Sequence, residues 1–198
     1  MITLLLDNGH GIDTPGKCSP DKSIREYKWA REMVERIAKK AQSAGIPTKI
    51  IVPELEDVPL KTRTARINAI CKGKDARQFV MISVHINAAG SDNRWHDARG
   101  FCAFVAPNAS KSSARLAQLL WTHADRAGLR GNRCVPECKY WVQSLAMCRD
   151  TVCPAVLTEN LFMDNRIDAD FLNSEFGKET IAEVHIAAIK DYIKDMTK

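Results

Sequence analysis

The chain has 198 residues, 45% of them hydrophobic, 27% charged and 7% aromatic, with 10 Gly and 8 Pro, which excludes disorder, collagen and coiled coil. A chain of this length buries roughly 70% of the surface that its unfolded form exposes, enough for one domain with a full core and no staples. Twenty-nine Lys and Arg against 24 Asp and Glu leave a charge of +5 with no dense basic block, so nucleic acid is an unpromising partner, while attraction to anionic surfaces is left open.

Taken in chain order, Ile2 to Leu6 reads as a strand, too short for the apolar segment of a signal peptide. No later stretch approaches the ~20 residues of a bilayer span, so stable membrane insertion is not expected. Arg25 to Ala44 has helical periodicity, with Ala30, Met33, Val34, Ile37 and Ala41 on one face and Gly45 and Pro47 ending it. Strands are expected at Thr48 to Val52, Phe79 to Val84, Gly100 to Val105, Gln143 to Cys148 and Ala155 to Thr158, and helices at about Leu60 to Cys71, Lys111 to Ala127 and Lys178 to Ile193. Several strands are nearly continuous apolar runs, as suits strands covered on both faces. The pattern predicts an α/β fold: one three-layer domain spanning residues 1–198, with a twisted, mostly parallel sheet of about six strands flanked by helices.

In such sheets ligands collect beyond the carboxyl ends of the strands. Three strand ends there carry chemistry: Asp7-Asn8-Gly9-His10-Gly11, His85-Ile86-Asn87 and Glu159-Asn160. Glu26 opens the first helix at the head of its apolar stripe. Two imidazoles and a carboxylate form the ligand set of a catalytic zinc site, and a separate carboxylate serves as general base. Each residue also has a plainer reading. Ser23-Ile24-Arg25-Glu26 has the spacing of a capping box, a lone His after a strand can be a hydrogen-bonded loop residue, and Glu159 could be an ion-pair partner.

The order Leu-Asp-Asn-Gly-His-Gly (5–11), Glu26, Ser-Val-His-Ile-Asn-Ala (83–88) and Ala-Val-Leu-Thr-Glu-Asn-Leu-Phe-Met-Asp-Asn (155–165) resembles the zinc-dependent N-acetylmuramoyl-L-alanine amidases of the amidase-3 type. The resemblance extends to Arg63, Asn68, Gly100-Phe101 and the C-terminal helix, and so covers essentially the whole chain. It implies that His10, Glu26 and His85 bind Zn2+, that Glu159 is the catalytic carboxylate, and that the substrate is peptidoglycan, cut between muramic acid and the first L-alanine of the stem peptide. Asn87 matches a recurring polar position that could orient a ligand or the substrate, though Asn also forms turns. Two departures stand out: Leu161 where the family often has Gly, and Asn8 where Pro is common.

The rival reading is a module of the same fold that binds cell-wall fragments without cutting them; a structural zinc protein is a third. A monomer is expected, made without a signal of its own and delivered to the wall or periplasm after release, as a phage or prophage lysin would be. The seven Cys are expected as free thiols, with a Cys134–Cys138 or Cys148–Cys153 pair open to an oxidising compartment and a metal ribbon disfavoured by spacing. Leu129 to Trp141 mixes bases with aromatics, as a glycan- or peptide-facing loop or a solvated one would, and Trp95 and His96 could rim the cleft. His96 and His123 are expected at the surface and His185 as a satisfied core histidine.

Overall fold

The computed structural model describes residues 1–196. Its elements are β1 (Thr3–Asn8), α1 (Glu26–Ser43), β2 (Thr48–Ile50), α2 (Leu60–Cys71), β3 (Phe79–Asn87), β4 (Cys102–Val105), α3 (Lys111–Arg126), β5 (Trp141–Val142), α4 (Ala146–Arg149), β6 (Ala155–Phe162), α5 (Arg166–Asn173) and α6 (Glu175–Met196). The six strands lie in the order β2-β1-β3-β6-β4-β5. β2, β1, β3 and β6 run parallel, and β4 turns antiparallel to β6 and carries β5 alongside. The expected α/β sheet, mostly parallel and flanked by helices, is therefore present.

Period-two alternation assigns the core. Leu4, Leu6, Val80, Ile82, Val84 and Val156 face one layer, packed with Met33 and Ile37 of α1, Leu116 and Leu120 of α3, and Ile181 and Ile189 of α6. Leu5, Phe79, Met81, Ala155 and Leu157 face the other, against Ile67 and Cys71 of α2 and Met147 and Cys148 of α4. Helix α1 ends as its sequence dictates. Gly45 sits at φ +75°, and the amides of Gly45 and Ile46 donate to Gln42 O and Ala41 O, the two bonds of a Schellman turn.

Four sequence expectations need correcting. Gln143 to Cys148 is no strand: pairing is confined to Trp141–Val142, and Ala146–Arg149 forms a helical turn, because a short apolar run has no period to separate the two. The second strand stops at Ile50 rather than Val52, and the fourth starts at Cys102 rather than Gly100. β3 and β6 continue to Asn87 and Phe162, so His85 and Glu159 lie inside strands and not after them. Among the described residues, no helix is long and apolar enough to cross a membrane.

Candidate metal centre

On the α2-facing side of β3, Phe79 and Met81 are followed by Ser83 and His85, so the column that feeds the core turns polar at its carboxyl end. The register sets Asp7 beside Ser83 and Glu159 beside His85. Just past β1, the backbone of Gly9 runs so close to the His85 ring that a Cβ there would lie 2.4 Å from Nδ1. His10 then adopts φ +60°, a left-handed conformation for a residue with a side chain, and this turn brings its imidazole back over the strand ends.

Glu26 is the first residue of α1 and is 1% exposed. Its Oε2 lies 3.3 Å from His10 Nε2 and its Oε1 3.1 Å from His85 Nδ1, while the Ile86 amide donates to Oε1 at 3.1 Å. The two imidazoles meet edge-on at 5.1 Å, and one ligand atom from each of His10, Glu26 and His85 lies within 4.8 Å of the others. Burial alone would raise the Glu26 carboxyl, but hydrogen bonds and charge from the two imidazoles outweigh it and hold the pKa at about 2. For His85, burial pushes the pKa down and the facing Glu26 carboxylate prevails, giving a net rise.

The proton inventory of His85 tests whether a metal suits this triplet. Ser83 Oγ donates to Asp7 Oδ2 at 2.5 Å, so it faces His85 Nε2, 3.1 Å away, with a lone pair. In the neutral ring that places the single proton on Nε2 and points a bare Nδ1 at the Glu26 carboxylate. Two acceptors at 3.1 Å repel unless a proton or a cation lies between them. The donors therefore fit zinc, with Ser83 orienting the ligand ring through its far nitrogen. Arg63, itself 1% exposed, anchors this chain: its guanidinium donates to Asp7 Oδ1 at 3.0 Å, Asn8 O at 2.6 Å and Val58 O at 2.7 Å.

Glu159 pairs across the sheet with His85 on one side and Cys102 on the other. Past it, β6 takes an extra residue relative to β3, as Asn87 pairs with Phe162, and Leu161 absorbs the bulge at φ +67°. Glu159 Oε2 is buried with no hydrogen-bond partner among the described residues. Burial raises this carboxyl, His85 offsets part of the rise, the negative Glu26 adds to it, and the pKa settles at about 7. An acid poised there can take and return a proton near neutral pH. Burial pushes the neighbouring Cys102 thiol up to about 12, which leaves it neutral and unsuited to act as a nucleophile.

The structure thus brings His10, Glu26, His85 and Glu159 together at one end of the sheet. Glu26 makes no capping box: α1 has Arg25 at its N-cap with no side-chain cap, and Ser23 Oγ bonds Asp21 instead. Asn87 lies two residues beyond His85, and its Oδ1 accepts from the Ala88 amide at 2.9 Å, a turn contact. The sequence reading passed over Ser83 and Asp7, although their period-two spacing from His85 and Leu5 puts both on the ligand face. His185 is a core histidine, bonded to Ile181 O at 2.8 Å and Thr158 Oγ1 at 3.2 Å. His96 and His123 pair with Asp92 and Asp191, each at 2.9 Å. All seven Cys are free thiols.

A sequence profile described as N-acetylmuramoyl-L-alanine amidase matches residues 4–191. The chain is 28% identical over 199 residues to the endolysin of Bacillus phage SPP1, covering 95% of this chain and 65% of the endolysin. It is 26% identical over 192 residues to the probable cell wall amidase LytH of Staphylococcus epidermidis, covering 96% of this chain and 58% of LytH. It thus spans about two thirds or less of the length of these relatives. The fold is shared with the N-acetylmuramyl-L-alanine amidase Ami1 from Mycobacterium smegmatis, at a TM-score of 0.83 and 15% identity over 98% of this chain and 97% of Ami1. The catalytic domain of CwlV from Bacillus (Paenibacillus) polymyxa var. colistinus superposes at 0.80 with 18% identity, over 98% and 99% of the two chains.

Proposed function

Because the chain belongs to the N-acetylmuramoyl-L-alanine amidase family, we propose that it is a zinc-dependent peptidoglycan hydrolase, cutting the amide between the lactyl group of N-acetylmuramic acid and L-alanine of the stem peptide. The observation that carries the reading is the His10–Glu26–His85 triplet around the buried Glu26, whose ligand atoms converge beside a Glu159 carboxyl with one buried, unpartnered oxygen.

Zinc, when bound, would supply Lewis acidity toward the scissile carbonyl and the attacking water. The protein's own groups do the rest. His10, Glu26 and His85 hold the ion, and Ser83 keeps the His85 Nδ1 lone pair aimed at it. Glu159 accepts the proton of the attacking water on its carboxylate and returns it to the leaving nitrogen, which departs as the free amine of L-alanine. Asn87, with Oδ1 held by Ala88, offers its Nδ2 to the substrate. The span 1–198 acts as one catalytic domain and as a monomer. Its similarity to a phage endolysin and a cell wall amidase supports delivery to the wall as a phage or prophage lysin.

Digestion of purified sacculi by the zinc-loaded protein tests the reading, with mass spectrometry of the soluble products. Stem peptides with a new free L-alanine amine are expected, with a loss of at least a hundredfold in Glu159→Gln. Sedimentation with sacculi but no release would instead favour a binding module.

A further inference from the structure

Across the carboxyl edge of the sheet the register places His85, Glu159 and Cys102 in one row, on β3, β6 and β4. Directly opposed residues on neighbouring strands share a face, so the row continues from the metal triplet through the catalytic carboxyl to the Cys102 thiol. At the end of the row stands Arg133, whose Nη1 donates to Cys102 Sγ at 3.7 Å.

The Arg133 guanidinium is held between aromatic faces, 5.7 Å from the centroid of Trp141 and 5.6 Å from that of Phe162. Its backbone is fixed too. The neighbouring Asn132 donates from Nδ2 to Asp97 O at 2.8 Å and accepts from the Arg99 amide at 3.0 Å, and Gly131 packs on Arg99 so closely that a Cβ would lie 2.0 Å from its carbonyl. Yet among the described residues no carboxylate lies within ion-pairing distance of this cation. Among the described residues its side chain makes one hydrogen bond, to a thiol, leaving most of its five donors for a ligand. A half-buried, stacked guanidinium without a counter-charge suits bidentate capture of a carboxylate at little ordering cost.

We propose that Arg133 is a specificity-determining anion site of the cleft. With the amidase reading as premise, the anion is the free α-carboxylate of the acidic residue that follows L-alanine in the stem peptide. Adjacent strands are ~4.8 Å apart, so the guanidinium lies on the order of 8 to 9 Å from Glu159, within reach of the second residue of an extended peptide at ~3.3 Å per residue. The loop from Leu129 to Trp141, which carries Arg130, Arg133 and Lys139 ahead of Tyr140 and Trp141, thereby acquires a role on the peptide side of the scissile bond.

Two soluble substrates test this, N-acetylmuramoyl-L-alanyl-D-glutamate with its side-chain carboxyl blocked as an amide and its α-carboxyl free, and the same compound with both carboxyls amidated. The zinc-loaded protein is expected to cleave the acid with at least tenfold higher kcat/KM, the difference lying in KM. Arg133→Gln should bring the ratio of the two substrates close to one, and Arg133→Lys should restore part of it, with circular dichroism confirming that both variants fold. Calorimetry on Glu159→Gln should show the acid binding at least tenfold more tightly than the amide, a difference abolished by adding Arg133→Gln. Equal handling of the two substrates, or a preference that survives Arg133→Gln, overturns the proposal. Arg133-dependent binding of the acid without cleavage by the unmutated protein would sink the amidase reading and leave the anion site standing.

Discussion

At Glu159 the polypeptide keeps a carboxyl close to neutrality by burying one oxygen without a partner. The consequence for stability has a definite sign. Its pKa of about 7 in the folded chain lies above the ordinary 4.5, so folding favours the protonated form. That stabilisation is complete below about pH 4.5 and is lost as the pH rises through 7. In metal-free protein, urea unfolding at pH 5 and pH 8 should therefore show the parent losing stability relative to Glu159→Gln by on the order of 1–3 kcal/mol at the higher pH. A difference independent of pH would mean that the carboxyl is not buried as described. Glu26 has the opposite sign, since its depressed pKa contributes stability above about 4.5 that is lost as the pH falls toward about 2.

Among the elements, β3 and β6 decide the site, because their pairing continues to Glu159 and then slips by one residue. Leu161 absorbs the slip at φ +67° while its side chain is 2% exposed. The left-handed backbone explains why a glycine would suit this position, and the buried side chain explains what this chain gains by departing from it. Asp168 of α5 closes the far side of the bulge, its Oδ2 accepting from the amides of Phe162 at 3.0 Å and Gly100 at 2.9 Å. Relief of left-handed strain is worth about 1–2 kcal/mol, and loss of a buried leucine costs about 2–5 kcal/mol. Leu161→Gly should therefore destabilise the protein by about 1–3 kcal/mol in urea titration, with a net gain in stability as the refuting result. The slip was invisible in the sequence because nothing local distinguishes Leu161 from a strand residue. The segment Gln143 to Cys148 reads as a strand for a related reason, as its apolar part, Leu145 to Cys148, is too short to display a period.

For the molecule as a whole, the core is two apolar layers on the faces of the sheet, and the His10–Glu26–His85 triplet lies beyond them at the strand ends. Chelation should accordingly abolish hydrolysis while leaving the far-UV circular dichroism and a cooperative thermal transition in place, and zinc should restore activity. Unfolding on chelation would indicate a structural metal instead. The sequence by itself determined the α/β architecture, most of the strands and helices, and the placement of His10, His85 and Glu159 at one end of the sheet. Apolar periodicity and strand-end position are carried by neighbouring residues, and those are what a linear reading sees. Only the tertiary structure decided that Glu26 turns to two imidazoles rather than capping its helix, that Ser83 fixes the His85 tautomer, that β4 runs antiparallel, and that Arg133 ends the row begun by His85. Each of these joins residues distant in the chain, and their geometry exists only once the sheet has fixed which strands lie side by side.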